Sequence, residues 1–159
     1  MKVKTSRFGQ IEVAEDDRLT VVGGFLGFYG LTGYVEHRPA GLGIFRWLQS
    51  LDVSKLAFVV CDARVILPDY HIEISPEELG CIGLEDAGDA EIVVILRYPQ
   101  DPGRMTANLL GPVVINRRTR KARQVVLSNT DYSCRHIVFP HLWREKDGDV
   151  AKPREQECA

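Results

Sequence analysis

Residues 106–127 (TANLLGPVVINRRTRKARQVVL) contain two apolar runs on either side of a polar segment. The runs are residues 113–115 and 125–127, and β-branched side chains, which favour strands, dominate both. Residues 116–123 between them are polar and mostly basic. Two such runs around a polar tip predict a β-hairpin. Pro112 has no backbone N–H, so we expect it to open the first strand or to lie at a bulge.

The rest of the chain reads mainly as further short strands. Alternating or continuous apolar stretches that are bounded by glycine, proline and other turn residues are typical of strands. They lie at residues 2–5, 10–14, 19–22, 34–37, 44–50, 56–61, 65–67, 70–74 and 91–98. A turn is predicted at residues 99–103, and residues 132–139 are expected to pack back onto this body.

One short helix is predicted. Ser75 is a good N-cap, Pro76 suits the first helical position, and Glu78 would complete a capping box. Gly80 and Gly83 follow closely and keep the helix short.

Nothing in the chain alternates strand with helix as a parallel α/β sheet requires. We therefore predict an all-β fold, a single compact antiparallel barrel-like domain with one short helix, over residues 1–143. Residues 144–159 are charged and poor in apolar side chains, so we expect a disordered tail there.

The composition bounds the class of protein. The chain has 159 residues, 45% of them hydrophobic, and a formal net charge of −2, which favours neither a general nucleic-acid binder nor a membrane-surface protein. No apolar run is long enough to span a membrane, and the start resembles no signal peptide, so we expect a cytoplasmic protein. The four cysteines are far apart, and we expect reduced thiols.

The residues that could form a catalytic or metal site do not complete any recognisable pattern. We therefore predict no enzyme, no cofactor and no metal site. Cys134, His136 and His141 supply too few ligands for a zinc site on rigid elements. Cys134 beside His136 suggests a nucleophile with its base, but no orienting acid is recognisable. The glycine-rich residues 23–33 lack the features of a phosphate-binding loop, so we interpret them as a structural loop whose aromatic side chains tuck into the core.

Two features are candidates for binding a partner. Leu109 and Leu110 are adjacent, so in a strand they point to opposite faces: one should enter the core and the other should face solvent or a partner. The second feature is the basic tip, residues 117–123, which is either a solvated turn or a site for RNA phosphates or an acidic protein surface.

Several short motifs resemble the FliW flagellar assembly factors and follow that family's order. They are KTSRFG (4–9), WLQS (47–50) before LAFVV (56–60), LPDY (67–70), TANLLGP (106–112), VIN (114–116) and QVVL (124–127). Where this chain has Val22 and Leu26 the family usually has prolines, so any family role of that loop is not carried over.

The resemblance implies a non-enzymatic regulator. Members of the family bind CsrA, a dimeric translational repressor, antagonise its mRNA binding, and exchange it for flagellin. We therefore predict CsrA and flagellin as partners and no direct contact with nucleic acid. The predicted partner-binding residues are Thr106, Asn108, Leu109, Leu110 and Asn116, with Asn108 also able to hold the turn into Pro112. The alternative is a direct RNA-binding module that uses the basic tip, residues 117–123.

Overall fold

The computed structural model describes residues 1–41, 43–97, 105–128 and 131–138. Within them lie eleven strands, two short α-helices and two 3-10 turns. The strands are β1 Lys2–Thr5, β2 Gly9–Glu12, β3 Arg18–Val21, β4 Gly33–His37, β5 Arg46–Ser50, β6 Ala57–Asp62, β7 Glu91–Arg97, β8 Thr106–Ala107, β9 Val113–Asn116, β10 Lys121–Gln124 and β11 His136–Ile137. The helices are α1 Ala63–Ile66 and α2 Pro76–Cys81. The turn predicted at 99–103 and the tail predicted at 144–159 lie outside the described residues.

Seven strands close into a barrel in the order β7-β6-β5-β4-β3-β10-β9, and β9 pairs back onto β7. Closure rests on the antiparallel register that places Glu91 opposite Ile115. The pairing of β3 with β10 is parallel, with Thr20 opposite Lys121, whereas the other strand pairs are antiparallel. The predicted all-β, barrel-like fold is confirmed.

The barrel interior is a single apolar core, because alternate residues of each strand point inward. It contains Leu19, Val21, Phe25, Tyr34, Leu48, Val60, Val93, Val113, Ile115 and Ala122. Further clusters cover the outside of the barrel. The largest lies over β6 and β7, where Val59 and Val94 pack with Met105, Ala107, Leu109 and Val138.

The predicted start of the helix is confirmed. The Ser75 hydroxyl accepts a hydrogen bond from the Glu78 amide at 3.2 Å, and Pro76 is the first residue of α2. The Glu78 carboxylate does not complete the predicted capping box, because it accepts a hydrogen bond from Arg123 Nε at 2.5 Å. None of the helices in the described part of the chain is long and apolar enough to cross a membrane.

Two predicted strands are wrong. Residues 65–67 fall in and after α1, because the Asp62 carboxylate caps that helix through the Arg64 amide at 2.9 Å and Ala63 is fully buried beneath it. Residues 70–74 do not form a regular strand, although their exposure alternates as in a strand.

The hairpin is confirmed, but its second strand is misplaced by the prediction: β10 lies at residues 121–124, mostly within the predicted polar tip, and ends before the predicted run 125–127. Backbone hydrogen bonds continue the same register beyond β10, from Val125 to Pro112 O and from Leu127 to Leu110 O, each 2.9 Å long. Pro112 has no N–H with which to donate a bond back to Val125, so the regular ladder begins at Val113. Pro112 thus lies at the opening of β9, as predicted.

Candidate partner-binding face

The turn that carries the two adjacent leucines is built by Asn108. Its Oδ1 accepts hydrogen bonds from the amides of Leu110 (3.1 Å) and Gly111 (3.0 Å), so the chain turns directly after β8. Leu109 is 1% exposed, and its carbonyl accepts a bond from the Tyr70 hydroxyl at 2.6 Å. Leu110 is half-buried. The two leucines therefore divide between core and surface as predicted, although they lie in a turn and not in a strand.

Asn116 takes a structural place in the turn between β9 and β10. Its side-chain amide donates to Ile82 O at 2.8 Å, and its Oδ1 accepts from the Arg118 amide at 3.0 Å. Because Asn116 is 2% exposed and both ends of its side chain are bonded, we assign it this structural role in place of the predicted partner contact. Of the five predicted site residues, Thr106 and Leu110 are half-buried, and their side chains make none of these structural hydrogen bonds. Part of each side chain is therefore open to a partner.

Gln124 joins the Leu110–Gly111 turn to the glycine-rich loop. Its side-chain nitrogen donates to Gly111 O at 3.0 Å, and its Oε1 accepts from the Leu26 amide at 2.8 Å. Two segments that are distant in sequence therefore form one surface. No motif in the sequence predicted this bridge, because Gln124 and Leu26 are 98 residues apart.

The glycine-rich loop contributes exposed apolar side chains. Phe25 alone is fully buried, packing edge-on against Tyr34 with ring centroids 5.0 Å apart. Leu26 and Phe28 are each 38% exposed, and Tyr29 is 71% exposed. The prediction that the aromatic side chains tuck into the core is thus correct for Phe25 and wrong for Tyr29.

We call Leu26, Phe28, Tyr29 and Leu110 the apolar face. Scattered exposed apolar residues are ordinary, whereas a contiguous group marks an interaction site. Here Gln124 ties Leu26 to the turn that carries Leu110, and Phe28 and Tyr29 follow Leu26 in the same loop. The three loop residues are not among those predicted from the sequence. The available signal was the alternation of glycine with aromatic residues in GFLGFYG (24–30), since so short a loop cannot bury every large side chain.

The basic tip is largely neutralised within the fold. Arg117 and Arg120 contact Glu36, with closest distances of 2.6 and 3.3 Å, and Arg123 contacts Glu78. Among the described residues, only Arg118 and Lys121 of the five basic side chains have no ion pair. This leaves few cations for RNA phosphates, and affinity for nucleic acid depends on their number.

These ion pairs close one end of the barrel. Buried Arg46 bridges the two acids: it lies 2.7 Å from Glu91 and 3.6 Å from Glu36. Arg117, two residues after the inward-facing Ile115, binds the same two acids. Burial alone would raise the pKa of Glu91, but the hydrogen bond from Arg117 and the charge of Arg46 outweigh it and lower that pKa. The cluster holds β4, β5, β7 and the hairpin together.

The predicted chemistry around Cys134 changes in the structure. Cys61 and Cys81 are free thiols, as predicted, and burial together with the charge of Asp62 raises the pKa of Cys61 to about 11. Cys134 is disulfide-bonded, so the prediction of a reduced thiol is wrong there and no free nucleophile lies beside His136. Within the described ranges no group of three or more His, Cys, Asp or Glu residues could hold a metal. His141 lies outside them.

The sequence profile of the FliW protein family matches residues 2–138. This chain belongs to the FliW family. It is 34% identical to the flagellar assembly factor FliW of Geotalea uraniireducens over 157 residues, which cover 99% of this chain and 96% of that one. It is 37% identical to the FliW of Bdellovibrio bacteriovorus over 142 residues, covering 89% and 81%.

A crystal structure of the flagellar assembly factor FliW has the same fold. It superposes with a TM-score of 0.80 at 31% identity, and the match covers 88% of this chain and 98% of that one. The resemblance that the sequence motifs predicted is confirmed, and the chain is a member of a family of flagellar assembly factors. The apolar face is thus placed on a FliW barrel.

Proposed function

We propose that this chain is a cytoplasmic, non-enzymatic regulator that binds CsrA and antagonises its mRNA binding, with flagellin as the competing partner. Membership of the FliW family supports the choice of partners, through the resemblance from which they were predicted. The structural observation that carries the proposal is the apolar face, which Gln124 holds beside the Leu110 turn.

The apolar face suits a protein partner. A stable interface buries about 1,200–2,000 Å² in total, and a small apolar or aromatic centre carries most of its energy. Leu26, Phe28 and Tyr29 supply such a centre, with Leu110 at its side and Thr106 as the remaining predicted contact. Such a regulator works by occupying a surface of its partner, and this requires a rigid scaffold and no reaction.

The first experiment measures binding of purified CsrA by calorimetry. We expect Leu110→Ser and Tyr29→Ser each to weaken binding about tenfold or more, which corresponds to roughly 1.4 kcal/mol. Val65→Ser is the matched control, because Val65 is also an exposed apolar residue (43%) but lies on α1. Unfolding curves show whether each variant is folded. If folded Leu110→Ser and Tyr29→Ser bind CsrA like the parent, the interface is elsewhere.

The second experiment tests the regulatory effect. Adding the chain to CsrA bound to a labelled target RNA should release the RNA, and adding flagellin should restore RNA binding. The chain alone should not bind the RNA. Salt-sensitive RNA binding by the isolated chain, lost on replacing Arg118 and Lys121 with Gln, would instead support the RNA-binding alternative.

A further inference from the structure

Residues 71–75 form an extended segment with no partner strand among the described residues. Their exposure alternates, with His71, Glu73 and Ser75 exposed and Ile72 and Ile74 half-buried against the outer core. In the described part of the structure, the backbone groups of residues 72–74 have no hydrogen-bond partner. The Tyr132 hydroxyl fixes the start of the segment, accepting from the His71 amide at 3.0 Å and donating to its carbonyl at 3.2 Å. The sequence predicted a strand at residues 70–74, and the structure has an extended segment there without a neighbouring strand among the described residues.

A second open edge begins after β10. The amides of Val125 and Leu127 point toward residues 110–112, where each donates a backbone hydrogen bond. Backbone N–H groups alternate in direction along an extended chain, so the Val126 N–H and carbonyl point the other way. Neither has a partner among the described residues, and Val126 is 63% exposed.

These two segments border one groove of about 500 Å³. Its apolar lining includes Ile72, Val126 and Leu127, and its charged lining is Glu73 and Glu78. No lysine or arginine is among the residues that line it in the described part of the chain. Natural proteins guard open strand edges with charged side chains, above all lysine, with proline or with a covering loop. Residues 71–75 (HIEIS) and 125–128 (VVLS) carry neither lysine nor proline, and Glu73 is their one carboxylate.

We propose that this groove is a strand-addition site for an extended segment of a partner protein in which apolar residues alternate with lysine or arginine. Its backbone pairs with both Val126 and residues 72–74 across the groove, which supplies affinity without reading sequence. Its apolar side chains cover Ile72 and Leu127, and its cations face Glu73 and Glu78. Glu73 is the stronger attractor, because Glu78 already binds Arg123. The inference stands independently of whether CsrA is the partner.

The test uses the full chain and three blocked eight-residue peptides. One alternates valine with lysine, one alternates valine with glutamate, and one repeats the valine–lysine peptide with its central amides N-methylated. We expect the first to bind, with NMR shifts and slowed amide exchange at Val126 and residues 72–74. The other two should bind about tenfold more weakly or less. No binding of the first peptide, or equal binding of all three, would overturn the proposal.

Two variants and a control locate the site. Val126→Pro removes a donor that has no partner within the described fold, so we expect a stable protein with at least about tenfold weaker peptide binding. Val126→Ala keeps the amide and should bind nearly as the parent does. Leu127→Pro is the matched control for the fold, because it deletes the bond to Leu110 and should destabilise the protein. Glu73→Lys should reverse the charge preference, so that the valine–glutamate peptide binds better than the valine–lysine peptide. This variant provides the test of the site if Val126→Pro does not fold.

The free protein provides a further check. If the Val126 amide already exchanges slowly without peptide, then another segment of the chain or a second copy fills the groove. Concentration-dependent protection would identify the second copy, and concentration-independent protection the chain itself. Either result would contradict the proposed partner segment.

Discussion

Arg117 hydrogen-bonds both carboxylate oxygens of Glu91: its Nε donates to Oε2 at 2.7 Å, and its Nη2 donates to Oε1. This bidentate pair joins the end of β9 to the start of β7, the two strands whose pairing closes the barrel. The side chains are 36% and 25% exposed, so solvent screens the pair in part. Its neighbours Glu36 and Arg46 are buried, so the four charged side chains together stabilise the closure of the barrel.

The pair gives the fold a dependence on pH. The lowered pKa of Glu91 means that folding favours its ionised form. Its contribution is therefore complete above the unfolded-state pKa of about 4.5 and is lost as the pH falls through the folded-state pKa. We expect Glu91→Gln to be less stable than the parent at pH 7, with the gap narrowing toward about pH 3. Urea unfolding at both pH values measures this, and a gap independent of pH would contradict it.

Phe25 should stabilise the fold far more than its neighbour Phe28. Phe25 is 1% exposed in the barrel core, and replacing a buried phenylalanine by alanine costs about 3–5 kcal/mol. Phe28 is 38% exposed and packs on Phe58 with ring centroids 5.4 Å apart, so Phe28→Ala should cost less than half as much. Denaturant unfolding of the two variants makes the comparison. Equal losses would mean that the loop does not close the core through Phe25.

The shape of the glycine-rich loop should depend on Gly24 more than on Gly27. Both have positive φ, +77° and +84°, so alanine at either costs about 1–2 kcal/mol of backbone strain. At Gly24 the added Cβ would also lie 2.6 Å from the Phe28 carbonyl oxygen, whereas at Gly27 it would meet open space. We expect Gly24→Ala to lower the melting temperature more and to weaken CsrA binding through the displaced apolar face. Matching effects of the two variants would argue against a tightly closed loop.

Asn108 should stabilise the turn after β8 through its side-chain oxygen, which accepts two backbone hydrogen bonds. Asn108→Ala leaves the amides of Leu110 and Gly111 without their acceptor. Both bonds are part-buried, so we expect a loss of about 1 kcal/mol, the low end of the cost of an unsatisfied donor. Asn108→Asp keeps an oxygen in the same place and serves as the control, so its loss should be smaller. Chemical denaturation measures both. A similar loss in both would assign the role to the side-chain nitrogen instead.

Local sequence patterns predicted most of the strands. Strand β9 follows from the β-branched run 113–115, and the start of α2 follows from Ser75 and Pro76, because these signals act within a few residues. The second run, 125–127, predicted a hairpin partner, but the regular strand β10 lies just before it at residues 121–124. The same local reasoning was wrong at residues 65–67. Val65 and Ile66 favour a strand, but the cap from Asp62 and the burial of Ala63 favour a helical turn.

The sequence by itself determined the all-β class, the hairpin, the short helix and the family, because periodicity, capping residues and ordered motifs are properties of neighbouring residues. Only the tertiary structure decided that Arg117 neutralises Glu36 and Glu91, and that Gln124 bridges Leu26 to Gly111. It also decided that residues 70–74, predicted as a strand, form no regular strand in the described part of the chain. Each of these depends on which distant segments the closed barrel brings together. A chain's local preferences do not contain that information, since closure depends on the packing of the whole core.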